Sequence, residues 1–249
     1  MNKKLKISIF LLAALLVVSC GKKEDKTDKA TTETSTTQTE EPKAEEKGKL
    51  SKEQQNLLVF GAVLASRNDM PYDELTPAEY KDASIQVLGS AWEVTDTASA
   101  KEQLDALLNE GHRKEGDVVL EKVKANAPAD LKEQADLYND VKKNLIDNYG
   151  YTEEEINNIK TISAWDYDRL VNVARFSYYA GYITEAEMWD YVNKAVDSAK
   201  KDYNGWKDYF AGAIIGRAIS YGQGFADSAD AADTLLKDND SPYKKFSFK

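Results

Sequence analysis

Residues 184–221 read TEAEMWDYVNKAVDSAKKDYNGWKDYFAGAIIGRAISY, and apolar side chains recur through them at helical spacing. Trp189, Val192, Val196, Ala199 and Tyr203 fall three or four apart, and Trp206, Phe210, Ala213, Ile214 and Tyr221 follow the same turn. Thr184 with Glu187 three residues on has the spacing of a capping box. Two neighbouring helices follow, each with one face to bury. The same punctuation extends outward. Thr76-Pro77-Ala78-Glu79, Ser99 with Glu102, and Thr152 with Glu155 read as helix starts, while Gly111, Gly150, Gly181 and Gly205 stand where stops are expected. The spacing predicts helices near 52–66, 77–92, 99–110, 116–126, 130–148, 153–159, 162–180, 185–203, 206–222 and 228–237, with no convincing strand pattern. The expected fold is all-α, a compact multi-helix domain of about 8–10 helices over residues 50–249.

Three of the four Trp and ten of the 14 Tyr lie between Asn148 and Ala226, which marks that half as the source of the core. The lysine- and glutamate-rich stretch from Glu115 to Lys143 reads as solvated helices on its flank. Residues 50–249 hold 35 acidic against 23 basic side chains, a net of −12. That balance argues against a nucleic-acid backbone as the main ligand. One Cys and one His exclude an internal disulfide framework and a zinc site of the Cys/His type. No phosphate loop, nucleophile elbow or calcium loop is present, so no metal or cofactor is expected.

The start of the chain reads as an address. Lys3, Lys4 and Lys6 precede the apolar run Ile7 to Val18, which is too short to span about 30 Å of hydrocarbon. The run ends Val17-Val18-Ser19-Cys20-Gly21, which resembles the lipobox of bacterial lipoproteins, with Val17 where Leu is favoured. Residues 1–19 are therefore expected to be a lipoprotein signal peptide, with Cys20 the lipidated residue. Acyl chains contribute about 0.8 kcal/mol per buried CH₂, so lipid (palmitate and its like) holds the protein on a membrane without a spanning helix. Gly21 to Lys49 contains no aromatic residue and no Leu, Ile, Val or Met, so residues 20–49 read as a disordered polar tether with an average reach of about 30 Å. The expected location is extracytoplasmic: the outer membrane or periplasmic face in a two-membrane envelope, the cell surface otherwise.

Among residues able to carry chemistry, Arg217 falls in the middle of the stripe Trp206, Phe210, Ala213, Ile214 and Tyr221. A buried guanidinium needs a carboxylate, and Asp166, then Asp168, is the expected partner. Replacing Arg217 by Leu should then cost about 3 to 5 kcal/mol. Arg169 shares a face with Ile162, Trp165, Val173 and Phe176 and is expected to be at least partly buried as well. Two readings of Asp166, Asp168, Arg169 and Arg217 stay open: an ion-pair network that sets helix register, or a cluster that leaves one guanidinium fork for a carboxylate or phosphate. His112, after Gly111 and beside Arg113 and Lys114, reads as a cation at a helix C-terminus. Tyr178, Tyr179 and Tyr182 offer an exposed row for stacking.

These residues carry a resemblance. Trp92 with Val94-Thr95-Asp96, Leu104, Leu107 and Leu108, Gly111-His112-Arg113, Trp165-Asp166 with Arg169, Ala180-Gly181-Tyr182, Trp206, Gly216-Arg217 and Asp240-Ser241-Pro242-Tyr243 resemble the bacterial domain-of-unknown-function family 1266 (YbeU/YbeR-like). The similarity runs from about Leu88 to Phe246, with Tyr243 where Trp is expected. The resemblance implies a helical domain whose recurrent residues include His112, Trp165, Asp166, Arg169, Gly181, Tyr182, Trp206 and Arg217; it implies no activity. The function expected from all of this is a membrane-anchored module that binds an envelope protein or a polar ligand. The alternative is a hydrolase-type enzyme using Asp166 as acid/base with Arg169 or Arg217 orienting an anion.

Overall fold

The computed structural model describes residues 50–249 apart from 127, 223–224 and 239–240; the expected signal peptide, Cys20 and the tether lie outside the described residues. The helices are α1 (Lys52–Leu58), α2 (Ala62–Arg67), α3 (Pro77–Trp92), α4 (Thr97–Asn109), α5 (Arg113–Asn126), α6 (Lys132–Tyr149), α7 (Glu153–Asn158), α8 (Ser163–Ala180), α9 (Glu185–Asp202), α10 (Trp206–Tyr221), α11 (Phe225–Lys237) and α12 (Pro242–Lys245). Short 3₁₀ turns cover Val59–Gly61 and Ala129–Leu131. No strand occurs among the described residues, and the fold is all-α. No helix among them is long and apolar enough to cross a membrane.

The helix α8 is the axis of the domain. Every residue of it except Tyr178 is buried, and α2, α3, α4, α9 and α10 pack around it. Beside it, Trp206 is the hub of the aromatic core, with ring centroids 4.5 Å from Tyr243, 4.6 Å from Phe60 and 4.9 Å from Phe248. Its indole N–H donates to the Phe246 carbonyl at 3.0 Å, so the rings bury no orphan donor there.

Several starts and stops follow the local sequence. Thr152 and Thr184 form reciprocal capping boxes with Glu155 and Glu187. Gly150 and Gly181 end α6 and α8 in the left-handed conformation. Others differ from the sequence expectation. The helix α4 starts at Thr97 because Asp96, not Ser99, is the cap: its carboxylate accepts the Ser99 N–H at 2.8 Å. Thr76 makes no side-chain cap on α3. Gly205 is extended (φ −173°) and begins α10; α9 ends instead at extended Tyr203. The fragment α12 had no signal.

The helix expected over 52–66 is broken at Val59–Gly61, and side chains from distant elements break it. The Val59, Phe60 and Gly61 carbonyls accept from Tyr243 Oη (3.1 Å), Tyr209 Oη (2.7 Å) and Asn172 Nδ2 (2.8 Å). On the other side of the break, the amide of Leu64 donates to both oxygens of the Asp168 carboxylate, at 3.3 and 3.1 Å. Gly61 permits this approach: a Cβ there would lie 2.7 Å from Val171 Cγ1 and 2.8 Å from Asn172 Nδ2.

Gly61→Ala should therefore cost about 1 to 3 kcal/mol through overpacking. Gly89→Ala, at a helical position with open space around it, should gain about 0.5 to 1 kcal/mol. Urea unfolding of both variants checks the pair; equal effects would contradict the packing described at Gly61.

Candidate functional site

The first turn of α8 places Asp166 where the loop from α4 to α5 folds over it. The Asp166 side chain has no solvent exposure. Its Oδ1 accepts the His112 amide N–H at 2.8 Å, and its Oδ2 accepts the Arg113 amide at 3.0 Å and Arg113 Nη1 at 3.2 Å. A carboxylate of α8 thus caps the start of α5, three residues before the expected position. The Arg113 guanidinium also donates to the Leu107 carbonyl at 2.8 Å and to the Leu108 carbonyl, closing the end of α4. It stands 5.1 Å from the Tyr167 ring centroid. Gly111 turns the corner at φ +59°, and a Cβ there would run into the Asp166 carboxylate. Burial raises the Asp166 pKa, against the pull of the two amides and of the Arg169 and Arg113 charges.

One turn on, Arg169 is 8% exposed. Its Nη1 lies 3.9 Å from Asp166 Oδ1, too far for a hydrogen bond, and has no acceptor. Rings surround its guanidinium, with Cζ 4.5 Å from the Trp92 centroid, 5.3 Å from Trp165 and 5.8 Å from Tyr221. The buried Trp165 Nε1 beside it also has no acceptor. Half-buried Arg217 approaches the same two rings, with Cζ 5.3 Å from Trp165 and 5.8 Å from Tyr221. Burial, then the Arg67 charge, lowers the Arg217 pKa to about 10. The His112 ring lies 5.4 Å from Tyr221, and burial together with the Arg169 charge holds its imidazole at a pKa of about 4.

The structure thus brings Asp166, Arg169, His112, Trp165 and Arg217 to one end of α8, though not as the sequence suggested. Asp166 is engaged by His112, Arg113 and Arg169 rather than by Arg217. The expected cost of Arg217→Leu loses Asp166 from its premise, because that carboxylate is held elsewhere; the second expected partner, Asp168, does feel the Arg217 charge. Asp168 caps α2 on another face of α8. His112 is neutral near pH 7 and its backbone leads into α5, so it is not a cation closing α4. Gly181 and Tyr182 lie at the far end of α8, where the Tyr182 carbonyl accepts the Thr97 hydroxyl at 2.6 Å. Trp206 belongs to the aromatic core. The expected tyrosine row is not exposed: Tyr179 is buried, and Tyr178 and Tyr182 are partly so. Sequence reasoning missed Arg113 as a partner, and with it the ring contacts of Trp92 and Tyr221. The only signal was an Arg beside the turn glycine, in a helix without a local start signal. Among the described residues no group of three or more His, Cys, Asp or Glu is placed to hold a metal.

The carboxylate of Asp168 generates a pH prediction. Burial pushes its pKa from 3.8 up to about 7, although the Leu64 and Val63 amides pull it down. A folded-state pKa above the unfolded one means that the folded protein holds the proton more tightly. The group's contribution is fully present below about pH 4 and is lost as pH rises through 7. At 1.36 kcal/mol per unit, stability should fall by about 2 to 3 kcal/mol between pH 5 and 8 on account of this group. Asp168→Asn should flatten the profile in urea unfolding; an unchanged slope would refute the assignment.

Comparison with known proteins adds one result. No curated protein and no solved structure matches the chain. Residues 87–248 match the family model described as "Protein of unknown function (DUF1266)", a span from the middle of α3 to the C-terminus that takes in Trp92, Gly111, Asp166, Arg169 and Arg217. With well over half of its length inside that match, the chain belongs to the DUF1266 family.

Proposed function

We propose that this protein is a lipid-anchored, extracytoplasmic binding module that takes the anionic group of a polar ligand or protein partner at the Arg169 end of α8. The observation that carries the reading is a pair of buried donors, Arg169 Nη1 and Trp165 Nε1, with no acceptor. They stand beside a carboxylate already committed to the start of α5. Burying a donor without a partner costs about 1 to 3 kcal/mol, more for a charged one, and the carboxylates nearby, Asp166 and Asp168, have their oxygens committed to backbone amides and leave these donors unmet. An arriving carboxylate or phosphate supplies the missing acceptors, and the partly exposed Trp92 and Tyr221 rings form the rim it would cross. A hydrolase gains no support from this geometry, since both Asp166 oxygens are occupied and an acid/base must reach the reacting atom. The anchor is argued from Lys3 to Cys20 and the polar stretch behind it, which would hold the site about 30 Å on average from the bilayer.

Calorimetric titration of the full chain in detergent with inorganic phosphate, citrate and a short acidic peptide, at constant ionic strength, tests the site. At least one should bind saturably, and Arg169→Gln should weaken it tenfold or more. Absence of binding to wild type, or equal binding by the variant, would remove the reading. For the anchor, wild type should incorporate labelled palmitate and sediment with membranes, while Cys20→Ser should do neither; equal labelling would contradict it.

A further inference from the structure

A second guanidinium is sunk into the same helix about two and a half turns beyond Asp166. Arg175 is fully buried. One nitrogen, Nη2, donates to the Pro71 carbonyl at 2.6 Å, the Glu74 carbonyl at 3.1 Å and the Tyr179 hydroxyl at 3.4 Å. The other two, Nε and Nη1, have no acceptor. None of the ion pairs among the described residues reaches it. The nearby Glu74 and Glu79 are exposed to solvent. A single hydroxyl joins this guanidinium to the start of α3: the Tyr179 oxygen that receives Nη2 also accepts the Thr76 amide at 3.2 Å. Thr76 precedes a helix of 16 residues, makes no side-chain bond onto it, and leaves its buried hydroxyl without a partner.

Two guanidinium nitrogens without an acceptor thus lie under the segment 68–76, one shared hydroxyl, Tyr179, away from the positive end of a long helix and its unpartnered Thr76 side chain. The guanidinium and the helix end both favour negative charge. Water would satisfy the hydrogen bonds and leave the charge; an anion would answer both. We propose that Arg175 and the start of α3 enclose a small inorganic anion of the chloride class. Full burial of the guanidinium sets this site apart from the one at Arg169, because an extended ligand has no way to reach it.

The test uses the full chain in detergent, exchanged into gluconate buffer and melted against increasing chloride or bromide at constant ionic strength. Stabilisation that grows with the logarithm of halide concentration is expected, with a rise in Tm of about 5 °C or more at a hundredfold excess over Kd, and Thr76→Val and Arg175→Met should reduce or abolish the rise. Should Arg175→Met fail to fold, crystals of wild type grown in bromide decide: an anomalous peak within hydrogen-bond reach of Arg175 Nε or Nη1 supports the site. Melting of wild type that ignores halide, or water and no bromide at both nitrogens, overturns it.

Discussion

A carboxylate without solvent contact, Asp166, is held by two backbone amides at the start of α5 and by the Arg113 guanidinium. Burying an ionised carboxylate costs several kcal/mol unless its lone pairs are met. Here the positive end of a helix and one Arg meet them. Because the acceptor sits on α8 and the donors lie between α4 and α5, the contact docks the α4–α5 corner onto the central helix. The same Arg113 ties off the carbonyls at the end of α4, and the corner closes tightly enough that only Gly fits at 111. Arg169 is left with a ring-lined guanidinium and a nitrogen that no acceptor reaches.

A second consequence concerns how a helix so rich in polar residues occupies the centre of an apolar core. The helix α8 buries Asp166, Asp168, Asn172 and Arg175, and all four engage backbone groups of other segments. Asp168 takes the Leu64 amide of α2, Asn172 takes the Gly61 carbonyl, and Arg175 takes two carbonyls of the loop before α3. These bonds replace water for chain ends that a buried helix would otherwise leave unsatisfied. The axis therefore fixes where neighbouring helices begin and break as well as supplying packing surface.

That division explains what was legible in the sequence. The helices α9 and α10 were visible because their faces repeat at helical spacing, and Thr152 and Thr184 announced α7 and α9 because their capping partners stand three residues away. The start of α5 and the break after α1 were not visible, since Asp166, Asp168, Asn172, Tyr209 and Tyr243 impose them from far along the chain. At the site, the phase of α8 placed Asp166 and Arg169 near one another. The assignment of Arg217 to Asp166 failed because periodicity reports the face of a helix and not which donor arrives first. Arg113, at the foot of an otherwise solvated helix, figures in the sequence only as a neighbour of His112.

The central claim is that the hydrogen bonds of Asp166 go to Arg113 and the start of α5, so that Arg169, facing it only at 3.9 Å, retains a donor for a ligand. Double-mutant cycles in urea unfolding measure this directly, pairing Asp166→Asn once with Arg113→Met and once with Arg169→Met. The account predicts a coupling of about 1.5 to 3 kcal/mol with Arg113, which donates a hydrogen bond to the carboxylate, and a smaller one with Arg169, which faces it at 3.9 Å without a hydrogen bond. A coupling to Arg169 as large as that to Arg113 would mean that Asp166 already neutralises it, and would contradict the account.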